Sequence, residues 1–133
     1  MKYLLDTNIC IYLIKKRTEM VLKHLQKCRA GEVGISSITL AELEYGVEKS
    51  SQPEHNRAAL AEFVTPLEIL PFDAVCAEKY GAVRAELEKA GTPIGSMDML
   101  IGAHALCVGA VLVTNNVREF NRIKKLKVAD WTK

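Results

Sequence analysis

No apolar run in this 133-residue chain approaches the ~20 residues needed to cross a bilayer, so no membrane contact is expected. The stretch after Lys2 is only Tyr3-Leu4-Leu5 before Asp6 interrupts it, too short for a signal-peptide core, and a cytoplasmic location is expected. Cys10, Cys28, Cys76 and Cys107 form no C-x-x-C pair and have no His at zinc-ligand spacing. Neither a disulfide framework nor a zinc site is suggested, and reduced, mostly buried thiols are expected. There is no G-x-x-x-x-G-K-[ST] loop and no G-x-G-x-x-G after the first strand, which argues against nucleoside triphosphate and dinucleotide enzymes. Repeats, low-complexity segments and linkers are missing too. The net charge is only +2, so no overall basic field announces a nucleic-acid binder.

What is present is the balance of an ordinary globular protein, 49% hydrophobic and 26% charged, which needs no staple to fold. A chain of this length fits one domain spanning 1–133 and buries roughly two-thirds of the surface its unfolded form exposes. Cations cluster in Lys15-Lys16-Arg17 and in Arg118, Arg122, Lys124, Lys125 and Lys127. Taken alone, such clusters read as a solvated basic face.

Strand and helix patterns alternate. Residues 2–5 read as a strand; Asn8 caps a helix to about Lys16, and a second helix covers 19–27. Val33 to Ser36 is a strand, and Ile38 to Lys49 a helix. Pro53 opens the next helix, over 54–64, and Leu67 to Leu70 forms a third strand. Asp73 caps a long helix with Cys76, Tyr80, Val83 and Leu87 on one apolar face, and Gly91 supplies its stop. Ser96 is the expected cap of a helix over 97–108 that buries Met97, Leu100, Ile101, His104, Ala105 and Val108. Ala110 to Thr114 is an unbroken apolar strand of the kind covered on both faces, and a weaker strand lies near 127–129. The pattern implies an α/β fold with a mostly parallel central sheet of about five strands and helices on both faces. Ligands in such folds bind outside the carboxyl ends of the strands.

At those ends stand Asp6, then Glu42 on the helix after the second strand, Asp98 in the first turn of its helix, and Asn115-Asn116 followed by Glu119. Each has a bland explanation. Asp6 suits an Asx turn, Glu42 sits three residues after Thr39 as in a capping box, Asp98 suits the helix dipole, and Asn115-Asn116 suits a turn. Converging, however, carboxylates ~4 Å apart repel by roughly 4 kcal/mol per pair at a surface-like dielectric, which something must offset. An all-oxygen set selects a hard cation, Mg²⁺ or Mn²⁺, and the chemistry it supports is phosphodiester hydrolysis. His104 reads as a satisfied core histidine, and Tyr12 and Trp131 as packing residues.

LLDTNICIYLI, ISSITLAELEYGVEKS, RAELEKAGTPIGSMDMLIGAHAL and VLVTNNVREF occur in that order from Leu4 to Phe120. Together they resemble the PIN-domain toxins of the VapC family. The resemblance implies a Mg²⁺-dependent endoribonuclease with a parallel sheet and an acidic pocket at its carboxyl edge. It places Asp6, Glu42 and Asp98 on metal-binding positions and Thr7, Asn8 and Thr114 on polar positions lining the pocket. Many PIN domains carry a fourth acid where this chain has Asn116; either Asn116 serves as a neutral group or Glu119 supplies the carboxylate.

The resemblance further implies a toxin homodimer held inactive by a VapB antitoxin, whose tail lies in a groove of the toxin and places an Arg among the acids. The larger toxin-antitoxin assembly would contact DNA only through the antitoxin. The implied substrate is structured RNA, above all the anticodon region of a tRNA, with initiator tRNA the specific expectation. Two other readings compete: a PIN-like module that binds RNA or a partner without turnover, supported by the neutral Asn116, and a phosphotransferase using an Asp nucleophile, disfavoured because Asn8 stands where a second Asp is needed.

Overall fold

A computed structural model describes residues 2–15 and 19–133 of the chain. Lys16 and Arg17, part of the first basic cluster, lie outside the described residues. Five strands form one sheet: β1 Tyr3–Leu5, β2 Val33–Ser36, β3 Glu68–Leu70, β4 Val111–Val113 and β5 Val128–Ala129. Every pairing is parallel and the order is β3-β2-β1-β4-β5, so β1 is central. Chain direction across the sheet reverses beside β1, the place where parallel sheets open a crevice at their carboxyl ends.

Helices make the crossovers that parallel strands require. They are α1 Thr7–Ile14, α2 Glu19–Gln26, α3 Ser37–Glu48, α4 Pro53–Val64, α5 Ala74–Lys89, α6 Ser96–Val108 and α7 Val117–Phe120. Two apolar clusters flank the sheet. Leu4 and Leu112 face one, with Val83, Leu87, Ile101 and Phe120; Leu5 and Val113 face the other, with Ile9, Leu13, Ile35 and Leu43. Alternation along β1 and β4 therefore points consecutive side chains to opposite cores.

Several boundaries differ from the sequence reading for local reasons. Asp6, not Asn8, caps α1, its Oδ1 accepting from the Ile9 N–H at 2.9 Å. Ser36 caps α3 by accepting from Ile38 N–H at 3.0 Å, so Thr39 and Glu42 form no capping box. Gly95, not Ser96, is the N-cap of α6, which moves Asp98 to the third helical position. The buried face of α6 also differs: Met99, Ile101, Gly102, Ala103, His104 and Ala105 are buried, whereas Met97 and Val108 are exposed. Helix α6 packs against α5 on one side and meets the segment around Phe120 and Ile123 on another, so no single stripe describes it. Gly102 is the closest approach: a Cβ there would meet Ile123 Cδ1 at 2.5 Å.

Candidate active site

The end of β1 sets the first group of the site. Asp6 is 4% exposed, and its backbone N–H continues the ladder to Val113 O at 3.0 Å while its side chain starts α1. Burial lifts its carboxyl above the usual carboxylate range; hydrogen bonds from Thr114 and the Ile9 N–H act against this, and the charges of Glu42 and Asp130 add to it. Thr114, fully buried just after β4, stands beside Asp6, and its hydroxyl accepts from the Asn116 N–H at 2.9 Å.

Glu42 lies on the second turn of α3 and reaches across to α1, where the Thr7 hydroxyl donates to its Oε1 at 2.6 Å. Thr7 also lies 3.4 Å from the buried Thr39 hydroxyl. Asp98 enters from the first turn of α6. Its carboxyl is pushed up to about 6, first by burial, then by the charges of Glu119, Asp6 and Glu42 and by hydrogen bonding with Glu119. The charges of Glu119, Asp6 and Glu42 all reach Asp98, so these four acids face one another from different segments following or facing a strand end. The two candidates for the fourth place are joined to each other: Asn116 Nδ2 donates to Glu119 Oε2 at 3.0 Å. Asn8 is exposed on α1, and no side-chain bond ties it to these acids among the described residues.

Sequence reasoning missed Asp130. It follows β5 as Asp6 follows β1, and its charge reaches Asp6 across the sheet edge. Its own oxygen accepts from the Thr132 N–H at 2.9 Å. The signal was the same strand-end placement, hidden by a strand of only two residues.

The donors are all oxygen, the set a hard divalent ion prefers, and their mutual repulsion is the kind a bound cation relieves. Among the described residues, no three of these acids bring one oxygen each within 4.8 Å of one another.

Fold and pocket together define a class: a parallel α/β domain with acids gathered at the carboxyl edge. The PIN domain model matches residues 3–126. Ribonuclease VapC2 of Rickettsia felis is 46% identical over the whole of both chains, and the tRNA(fMet)-specific endonuclease VapC of Shigella flexneri is 44% identical over 99% of each. The solved VapBC complex of Salmonella typhimurium bound to DNA superposes with a TM-score of 0.94 at 45% identity, covering 98% of each chain. VapBC2 of Rickettsia felis, bound to a promoter DNA fragment, gives 0.91 at 46% identity over 98% of this chain and 99% of that one. The chain belongs to the PIN-domain family, among its VapC ribonucleases. It is accordingly a nuclease, in a family where dependence on a divalent metal is usual.

Proposed function

We propose that this chain is the toxin of a VapBC pair and cleaves tRNA in the anticodon region, with initiator tRNA as its substrate and Mg²⁺ as its ion. The observation that carries the chemistry is the convergence of Asp6, Glu42, Asp98 and Glu119, with Asp98 raised to about 6 by burial and by the other three charges. Asp6, Glu42 and Asp98 would hold the ion, and Glu119, oriented by Asn116, is the fourth carboxylate. A bound divalent cation eases deprotonation of water and neutralises phosphate charge. The protein's own part is positioning. Thr7 fixes Glu42, the Ile9 N–H fixes Asp6, and the buried floor limits solvent around the acids. The substrate assignment rests on relatives from Shigella flexneri and Salmonella typhimurium named as tRNA(fMet)-specific endonucleases.

RNA would approach over cations near the pocket. Arg118 stands on α7 between Asn116 and Glu119 in sequence and is exposed; Lys125 and Lys127 are exposed too but precede β5, at the amino edge of the sheet away from the acids. Lys124 pairs with Glu86 at 3.1 Å and Arg122 donates to Pro93 O, so these two are partly engaged. Such groups would contact phosphates and set register without reading sequence.

The antitoxin has a seat of matching character. A groove of about 520 Å³ runs between α1, α3 and α4, floored by Ile11, Ile14, Leu43, Val47 and Leu60, and Glu42 lies on its wall. An apolar antitoxin segment seated there would deliver a cationic side chain to the acids beside Glu42. The solved VapBC complexes of Salmonella typhimurium and Rickettsia felis are bound to DNA; here DNA contact would come through the antitoxin, and the toxin would dimerise within the complex.

The decisive experiment is tRNA cleavage by Asp6→Asn with added Mg²⁺. Asparagine keeps an oxygen for the Ile9 cap and removes the charge. Cleavage is expected to fall by at least about a hundredfold with the fold intact, roughly 3 kcal/mol of transition-state stabilisation. Undiminished cleavage would falsify the site assignment.

A further inference from the structure

At the other end of α6 from Asp98, two cysteines far apart in sequence come together with an acid. Asp73, Cys76 and Cys107 each offer one ligand atom, and these lie within 4.8 Å of one another. Cys76 is buried on the first turn of α5, Cys107 is half-buried near the end of α6, and Asp73 is exposed as the α5 N-cap. Nine residues along α6 separate Cys107 from Asp98, about 13 Å at ~1.5 Å per residue, so this cluster is distinct from the acidic pocket.

We propose that Asp73, Cys76 and Cys107 form a binding site for a thiophilic divalent cation, zinc in the first instance, with water in the fourth position. Tetrahedral zinc with Zn–S of ~2.3 Å and Zn–O of ~2.0 Å places its ligands roughly 3.5–3.8 Å apart, so modest side-chain closure completes the set. The frame is already fixed. Asp73 Oδ1 accepts from the Cys76 N–H at 3.1 Å, which orients both side chains at one helix start and leaves the second carboxylate oxygen for a ligand. Helix α5 packs along α6, which holds Cys107 opposite. The exposed Asp73 provides the entry side, and the buried Cys76 the closed floor.

The chemistry separates the two sites. Thiolates select zinc or copper over magnesium, whereas the Asp6–Asp98 pocket offers oxygen alone. Binding displaces two thiol protons to solvent and leaves a carboxylate-bithiolate zinc centre of net charge −1. The site also explains why C-x-x-C counting on the sequence finds nothing: its ligands form an i, i+3 Asp-Cys pair on one helix and a single Cys on the facing one.

The test uses the full chain carrying Asp6→Asn and Asp98→Asn, so that the oxygen pocket contributes little. After reduction and chelation, the protein is given Zn²⁺ or Co²⁺ and passed through gel filtration. One equivalent of metal is expected to be retained, with Co²⁺ showing a thiolate charge-transfer band in the near ultraviolet and tetrahedral bands in the visible. Cys107→Ser, at a half-buried position that tolerates the change, is expected to lose both signals while keeping its circular dichroism. Cys10→Ser or Cys28→Ser is expected to retain both. Failure to hold zinc, or equal retention by Cys107→Ser, overturns the proposal. So does a reduced protein that takes up no zinc yet converts to a Cys76–Cys107 disulfide on mild oxidation, which would make the cluster a redox pair.

Discussion

Thr7 donates its hydroxyl to Glu42 at 2.6 Å, tying the first residue of α1 to the second turn of α3 across the mouth of the pocket. Without it, Glu42 is a half-buried carboxylate on a helix surface with several rotamers open to it. Thr7→Val keeps the shape and removes the donor. A hydrogen bond to a charged group contributes about 1.5–3 kcal/mol, and partial exposure places this one at the low end. Cleavage of tRNA by Thr7→Val is expected to fall about tenfold, with thermal stability changed by only a few degrees. Equal rates for the two proteins would show that Glu42 is positioned by something else.

Asp98 predicts a pH effect in the absence of metal. Its carboxyl titrates near 6 when folded and near 3.8 when unfolded, so the folded state binds the proton more tightly. Its contribution to stability is complete below pH 4 and is lost as pH rises through about 6. Asp98→Asn is expected to melt at the same temperature as the parent near pH 4 and above it at pH 7, by a margin worth about 1–2 kcal/mol once solvent screening at this half-buried site is allowed for. Added Mg²⁺ is expected to narrow the gap at pH 7 by binding the folded parent. Melting curves with a chelator, then with the ion, check both parts.

His104 predicts the opposite slope. It is 1% exposed, its Nδ1 lies 2.7 Å from the Ser36 hydroxyl, and burial holds its pKa below the usual 6.5. Stability from this neutral imidazole is complete above pH 6.5 and declines as pH falls toward the lower folded value, because the unfolded chain takes up the proton first. His104→Gln keeps a polar partner for Ser36 and does not titrate. The urea midpoint is expected to drop more for the parent than for the variant between pH 7.5 and 5.5, with the Asp98 contribution common to both.

Gly102 tests the packing behind the site. Alanine would ordinarily stabilise a helix interior by up to about 1 kcal/mol, but its Cβ here would lie 2.5 Å from Ile123 Cδ1 and 3.5 Å from Phe120 Cδ1. The near contact is the tip of a flexible side chain, so Ile123 can turn away at the expense of its own packing. Gly102→Ala is expected to cost about 1–2 kcal/mol, and adding Ile123→Val to recover part of it, since the clashing methyl is then gone. Denaturant titration of both single variants and the double variant measures the coupling.

Much of the site was legible because strand ends carry unusual residues. Asp6 ends an apolar run, and Asn115-Asn116 ends another, so the sheet edge could be read before any fold was known. Asp130 escaped because β5 is two residues long and too short for periodicity to mark it. The face of α6 was misread because a helix covered on several sides has no single apolar stripe to fix its rotation. The cap moved from Ser96 to Gly95 for lack of a side-chain bond at that turn, where propensity alone favoured serine. Asp73, Cys76 and Cys107 could not be joined from spacing, since their proximity depends on how α5 lies against α6. The relation between Asn116 and Glu119 needed atomic distances: sequence offers both as candidates, and their hydrogen bond joins the two.

Asp6 does two jobs with one side chain, capping α1 through the Ile9 N–H and facing the acids of the pocket. This has an evolutionary edge if the chain poisons its host. Cells that escape by mutating the toxin have unequal routes: most changes at Asp6 silence the protein by unseating α1 as well, whereas changes at Glu42 or Asp98 silence it and leave a folded chain. Survivors of toxin expression that still sequester antitoxin are therefore expected to carry lesions at Glu42 or Asp98, and those at Asp6 to be enriched for asparagine and serine, replacements that abolish the charge while keeping an acceptor for the helix start.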